Sequence, residues 1–224
     1  MKDSEALAQK LEATGDYRIL RRFRPEAIPL HSATGTLATA VVLDVETTGF
    51  DPSTDRIIQL SVLPFQYLKE SGQIIGFNPP VTCFEDPGRP IPAPITALTG
   101  ITDAEVAGRR IDDAMIEAAT GSALVIAHNA KFDRPFTERR LPGFRDRSWA
   151  CSADGIPWKQ LGMGSSAQEF LLLKHCRVFY EGHRADHDCQ ALLHLLATPF
   201  ESGETPFQML LQSARKKSAR LWAT

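Results

Sequence analysis

Apolar positions between residues 39 and 77 come in continuous, β-branched runs, whereas beyond residue 102 most recur at helical spacing. The first pattern predicts buried strands at Thr39–Val45, Arg56–Tyr67 and Gln73–Phe77, with Ser71-Gly72 turning a hairpin between the last two. Asn78–Pro94 carries Pro79, Pro80, Pro87, Pro90, Pro92 and Pro94, a density that predicts a surface loop. Thr102 and Asp112 read as helix N-caps, and Ala123–Ala127 as a short strand. Helices are predicted at Asn129–Arg140, with Pro135 in its first turns, and at Ser165–Cys176, Ala185–Ala197 and Pro206–Lys217. Ahead of Thr39 the pattern is weaker. It predicts a helix over 4–13 capped by Ser4, a break at Gly15-Asp16, a weak strand over Tyr17–Phe23 and a linker over Pro25–Thr36. Strands followed by alternating helices and strands indicate an α/β sandwich around a mixed sheet. The division expected is an N-terminal extension (1–38), a main domain (39–200) and a C-terminal helix and tail (201–224).

Composition narrows the class without naming a function. No apolar run approaches the roughly 18 residues of a membrane helix, and the first residues lack the apolar segment of a signal peptide, so no membrane partner and a cytoplasmic location are expected. Cys83, Cys151, Cys176 and Cys189 are widely spaced, form no CxxC pair and are expected to be reduced thiols. With 25 Lys+Arg against 27 Asp+Glu, the net charge of −2 argues at face value against a broadly basic nucleic-acid binder.

The acids change that picture. The strand at 41–45 runs into D-x-E-T-T-G, where Asp44 and Glu46 are spaced i, i+2 and share one strand face. Two carboxylates on one face at a sheet end repel and are costly to desolvate unless a cation neutralises them, and hard divalent ions suit such oxygen donors. Taken alone, the pair also fits an edge strand with two solvated acids. A second strand end runs into His128, Asn129, Phe132 and Asp133, placing an acid in the first turn of a helix. Taken alone, Asn129 is simply a cap and Asp133 a dipole-complementing acid. A third segment, Glu181–Asp188, opens a helix, and taken alone it also fits a helix start with ordinary surface histidines. His183 and Asp188 are five apart, about 140° around a regular helix, so His183 is expected on the preceding loop, with the pKa range and mobility of a general base.

Together, D-x-E at 44–46, Asp133 in His-Asn-Ala-Lys-Phe-Asp and H-x-A-x-x-D at 183–188 resemble the motifs of the DEDDh (DnaQ-like) 3′–5′ exonucleases, a family that includes the proofreading epsilon subunit of bacterial replicative polymerase. The resemblance spans about residues 40–197, and Leu98–Thr102 is similar to a substrate-side loop of these enzymes. It implies a ribonuclease H-like three-layer sandwich with a central mixed five-stranded sheet flanked by helices. It also implies two divalent cations, Mg²⁺ or Mn²⁺, held by Asp44, Glu46, Asp133 and Asp188, with Asp44 bridging and His183 as base. Thr47, Thr48 and Gly49 would line the terminal-nucleotide pocket, Phe50, Ile101 and Phe132 would either pack on bases or be ordinary core or loop residues, and Asn129 would orient Asp133 or the nucleotide. The implied substrate is a 3′ end of DNA, single-stranded or frayed, with a polymerase subunit as a candidate partner; an exoribonuclease is the alternative. Arg184 at the position four before Asp188 excludes the tyrosine branch of the family.

Other readings fit less well. Asp44, Glu46 and Thr48 match a phosphatase D-x-D-x-T motif only in part, and Cys176, His183, His187, Cys189 and His194 match no zinc-finger spacing. A silent binding module should have lost an acid or the base. Gln59–Phe65 faintly resembles a sliding-clamp peptide but lies in a predicted core strand. The stretch Leu11–Arg22 resembles extensions on some stand-alone bacterial homologues, expected either to pack on the sheet or to bind a partner. The basic residues 215–224 end without a stop signal, and a truncated chain is one reading of that ending. Setting the four metal-assigned acids aside leaves a mildly basic remainder, with Arg134, Arg139, Arg140, Arg145 and Arg147 clustered beyond Asp133.

Overall fold

The computed structural model describes residues 2–221 apart from 33 and 122, and of these the side chains of residues 2 and 215–221 are left aside; the basic tail therefore lies largely outside the described residues. Helix α1 (Lys2–Ala13) and the two-residue strand β1 (Arg21–Arg22) form the extension, followed by a single 3₁₀ turn at Pro25–Ala27. The long strands β2 (Leu37–Thr47) and β3 (Ile57–Leu68) are the antiparallel pair at the heart of the molecule, in register from Leu37↔Leu68 to Glu46↔Gln59.

Strand β4 (Ile74–Phe77) follows the expected hairpin, in which Gly72 takes a positive φ of 71°. The proline-rich segment is not one loop. It contains β5 (Val81–Phe84) and helix α2 (Ala93–Thr99). Its prolines bracket Val81–Phe84 without interrupting it, and Pro94 falls in the first turn of α2, where a missing amide is harmless. Both β4 and β5 pair with the same edge of β3, β5 along Gln59–Val62 and β4 along Phe65–Tyr67. Pro64 sits in the gap between them, where its carbonyl accepts from Asn78 and an absent N–H breaks no ladder.

Short helices α3 (Asp103–Val106) and α4 (Asp113–Thr120) start at the expected caps: Thr102 accepts from the Glu105 amide at 3.3 Å and Asp112 from Met115 at 3.0 Å. Then come β6 (Leu124–Ala127), α5 (Ala130–Arg140), β7 (Trp149–Cys151) and α6 (Ser152–Gly155). Pro135 lies in the second turn of α5. The helix expected over Ser165–Cys176 is shorter: α7 (Gln168–Leu171) runs into a π turn at Leu172–Cys176. Ser165 and Ser166 are withheld from it, one accepting from Ala167 and the other from His128. Strand β8 (Val178–Phe179), α8 (Ala185–Ala197) and α9 (Pro206–Leu221) complete the order.

The sheet order is β4-β3-β2-β6-β7, with β5 sharing the β3 edge. The sheet is thus five strands wide as expected but has six strands, mixed parallel and antiparallel. Alternation along β2 divides the core. Ala40 and Val42 face α8 and α9 with Leu63 and Phe65, whereas Val41, Leu43 and Val45 face α4 and α5 with Leu60 and Val62. Each buried aliphatic side chain there contributes about 1.5–3 kcal/mol. The extension is sewn on by Phe23 and Ile28, which join the α8 side of the core. The four cysteines are unpaired. Among the described residues no helix is long and apolar enough to cross a membrane.

Candidate active site

Parity explains the first two acids. Asp44 and Glu46 continue the Ala40–Val42 face of β2, so they point toward the α8 layer, and α8 supplies Asp188. Carboxylate oxygens of Asp44, Glu46 and Asp188 lie within 4.8 Å of one another. Asp133 arrives from the other helix layer. Pairing of β6 with β2 stops at Val42, and the Val45 amide beyond it donates to Asp133 Oδ1 at 3.3 Å. Asp133 is 2% exposed.

These carboxyls share one cleft of about 270 Å³, lined also by Thr47, Gly49, Phe50, Ile95, Leu98, His128, Phe132, Gln168 and His183. Burial first, then Asp133, Asp188 and Glu46, hold the Asp44 carboxyl well above the carboxylate range. Burial together with Asp188 and Asp133 pushes Glu46 up to about 8, with Arg184 opposing. Asp133 is also pushed up to about 8, chiefly by burial and against two backbone hydrogen bonds. Burial raises Asp188 too, despite its bonds to Tyr180 and the 183–184 backbone. A set of hard oxygen donors that resists shared ionisation is what a divalent cation would relieve, so the residues fit the metal expected of them.

His183 is exposed at this cleft. It precedes α8, as its spacing from Asp188 predicts. His128, also in the lining, is occupied: its Nε2–H donates to the Ser166 carbonyl at 2.6 Å, leaving Nδ1 to accept from Ser152 at 2.8 Å. Burial lowers its pKa. His187 lies near Asp186, 3.9 Å away, and is not in the lining. Among the described residues the zinc alternative finds no support, because only Asp44, Glu46 and Asp188 form a group of three potential ligands.

The nucleotide-side expectations divide. Thr47, Gly49, Phe50 and Phe132 line the cleft, and the Phe50 and Phe132 rings lie 6.2 Å apart with Phe50 82% exposed. Thr48, Ile101 and Asn129 do not line it. The Thr48 hydroxyl donates to Asp55 at 3.0 Å and accepts from Arg89 at 2.8 Å. Ile101 is wholly buried with Ile58, Ile91 and Val106. Asn129 occupies the left-handed turn before α5 (φ 69°) without a side-chain cap bond. Gly49 admits no side chain, since a Cβ would stand 2.5 Å from an Asp55 oxygen. Three of the five arginines beyond Asp133 are held in ion pairs, Arg134 with Glu138, Arg140 with Glu85 and Asp113, and Arg147 with Glu117, whereas Arg139 and Arg145 are exposed.

Several positioning residues were not anticipated. The Tyr180 hydroxyl donates to Asp188 Oδ1 at 2.6 Å and accepts from Gln168, whose amide also reaches Asp188. Gln59 accepts from the Ala185 amide at 3.0 Å and donates to Asp186. Its signal was a polar residue inside an apolar strand, the same strand that resembled a clamp peptide; at 1% exposure it cannot dock elsewhere. Tyr180 and Gln168 carry no such signal.

The family model described as exonuclease, of the RNase T type, matches residues 41–157, just over half of the chain. The chain belongs to the exonuclease family. It is a DnaQ-like nuclease of ribonuclease H-like fold. The match stops before His183 and Asp188, which the structure brings to the same cleft. Curated relatives of this exonuclease-family chain include a DNA polymerase III PolC-type protein of Clostridium perfringens, 30% identical over 72% of this chain and 11% of that one. Another is a DNA polymerase III subunit epsilon-like protein of Rhodobacter capsulatus, 40% identical over 46% of this chain and 14% of that one. The chain thus spans about a tenth of the length of the PolC-type relatives. Among solved structures, exonuclease X in complex with 5′ overhanging duplex DNA is 26% identical, with a TM-score of 0.55 over 78% of this chain and 99% of that one. Exonuclease I of E. coli in a complex with single-stranded DNA is 19% identical, with a TM-score of 0.61 over 83% of this chain and 45% of that one, a likeness of fold.

Proposed function

We propose that this chain is a metal-dependent 3′–5′ exonuclease that hydrolyses the terminal phosphodiester of a DNA 3′ end, single-stranded or frayed, and releases nucleoside 5′-monophosphates. The observation that carries the reading is the convergence of Asp44, Glu46, Asp133 and Asp188 on one cleft with an exposed histidine, His183. DNA is favoured because exonuclease X, of similar structure, is in complex with duplex DNA. Polymerase-type relatives favour proofreading or repair, with a polymerase as partner.

Asp44, Glu46 and Asp188 would hold one Mg²⁺ or Mn²⁺, with Asp44 and Asp133 serving a second. Such ions, when bound, supply Lewis-acid stabilisation of phosphoryl charge and lower the pKa of water. The chain's own residues do the rest. A ring nitrogen of His183 takes the proton of the attacking water; the other cleft histidine, His128, is already bonded at both nitrogens and does not compete for that role. Phe50 and Phe132 offer faces for the terminal bases, and the Thr47–Gly49 turn, kept bare by the close approach of Asp55, admits the terminal sugar.

The test is a degradation panel: labelled single-stranded DNA, duplex DNA with a mismatched 3′ end, and RNA, each with Mg²⁺, Mn²⁺ or chelator. DNA should be shortened from its 3′ end, chelator should abolish turnover, and a blocked 3′ terminus should resist. Preferential degradation of RNA would replace the substrate with the exoribonuclease alternative. Unchanged turnover in both Asp44→Ala and His183→Ala would overturn the site.

A further inference from the structure

The N-terminal extension contributes nothing to the acid cluster, yet its strand β1 lies against the segment that leads to His183. Strand β8 lies off the main sheet, and β1 is its strand partner. The Arg21 amide donates to the Arg177 carbonyl at 3.3 Å and the Phe23 amide to the Phe179 carbonyl at 2.8 Å. Between them, Arg22 lies 5.0 Å over the Phe179 ring and pairs with Glu181 at 2.9 Å, two residues before His183.

The braced segment needs holding. Arg177 and His183 both take positive φ, 57° and 66°, a region uncommon for non-glycine residues, which costs backbone energy that surrounding contacts must offset. Gly182 is pressed close, since a Cβ there would meet a Glu169 oxygen at 2.9 Å. On the far side Arg184 is clamped by Glu105 at 2.9 Å and lies 5.3 Å from the Phe84 ring centroid, so that end is anchored in the main domain. The near end is held from both sides, by the Tyr180 hydroxyl on Asp188 and Gln168 of the main domain and by β1 of the extension. The extension is in turn anchored by Phe23, whose ring packs 5.1 Å from that of His194, and by buried Ile28, while Arg21 ties β1 to Glu5 and Glu12 of α1 within it.

We propose that β1 and Arg22 brace the 178–183 loop and set where His183 stands over the acids, making the extension a positioning element of the nuclease site. This rests on His183 being the base. Misplacement of a reacting group by about 1 Å can cost on the order of 100-fold.

The experiment compares Phe23→Pro, which removes the amide bonded to Phe179, with Phe23→Leu, which keeps it. Phe23→Pro should lower kcat about tenfold with KM little changed and speed amide exchange over 178–182, while Phe23→Leu stays near the parent. In the His183→Ala background, Phe23→Pro should add no further loss. Equal losses in the two Phe23 variants, or a penalty that persists without His183, would mean core packing and overturn the brace. Should Phe23→Pro not fold, the exposed Arg22→Glu decides: it should lower kcat severalfold, and adding Glu181→Arg should restore it. Parent-like turnover in Arg22→Glu would then overturn the brace. An inactive His183→Ala beside a fully active Phe23→Pro overturns the brace alone; a fully active His183→Ala overturns the base and the brace with it.

Discussion

Asp44 carries two opposed consequences in one side chain. It stands among Glu46, Asp133 and Asp188, and burial and those neighbours hold its carboxyl well above the usual range. Without a cation, its negative charge at neutral pH is therefore a cost to the fold; with one, the same charge is the ligand. Asp44→Asn keeps the shape and removes the charge. It should lower turnover by at least about 100-fold, more than the loss of an outer-shell partner costs. In chelator at pH 8 it should also raise the melting temperature by a few degrees, corresponding to roughly 1 kcal/mol for a chain of this size. Thermal melts of both proteins in chelator check the second half. A variant that is inactive and also less stable would show that Asp44 supports the fold by some contact other than charge.

At the scale of elements, what could be foreseen depended on whether the signal was local. The pair Asp44 and Glu46 was legible because strand parity alone puts them on one face, and α8 was legible to the residue because an acidic first turn at Asp186–Asp188 leads into the apolar run Ala191–Ala197, broken only by His194. Strands β5, β7 and β8 were missed. Each is four residues or fewer and exists through its partner: β5 through β3, β7 through β6, β8 through β1. The α7 segment was overextended because His128, some 38 residues earlier, takes the Ser166 carbonyl. Thr48 and Ile101 sat in motif-like stretches whose side chains turn into Asp55 and into the core, a choice no local pattern records. Helix α8 also holds an unforeseen liability. His194 Nδ1 is buried without a hydrogen-bond partner, and burial, then His175, push its pKa down to about 4. Because the folded value lies below the unfolded 6.5, its contribution is full above pH 6.5 and is lost as pH falls toward 4. His194→Leu should therefore flatten the acid limb of stability between pH 6.5 and 4, as followed by urea unfolding at each pH; an unchanged acid limb would exclude His194 as its source.

For the whole molecule, the near balance of 25 basic and 27 acidic residues conceals charges in unlike settings. Three of the five arginines beyond Asp133 are held in salt bridges, while the site acids are crowded, so at the cleft itself a polyanion meets negative charge unless cations offset it. This couples metal, pH and folding. Burial, with the neighbouring acids, pushes Glu46 and Asp133 up to about 8 in the metal-free fold, far above their unfolded values of about 4. The folded state then binds more protons than the unfolded state across that window, so stability is greatest below it and falls as pH rises through 8. His194 acts in the opposite direction but only below 6.5, which leaves pH 7 to 9 as the clean interval. In chelator the melting temperature should fall across that interval. With saturating Mn²⁺ or Mg²⁺ the fall should shrink or vanish, because the bound ion favours the ionised acids, and the stabilisation by metal should grow with pH as RT ln(1 + [L]/Kd) with a tightening Kd. Melts at half-unit pH steps, with and without metal, measure both curves in one series. A metal-free curve that stays flat or rises from pH 7 to 9 would mean that the acids ionise freely in the empty cleft and that no cation is needed to hold them together.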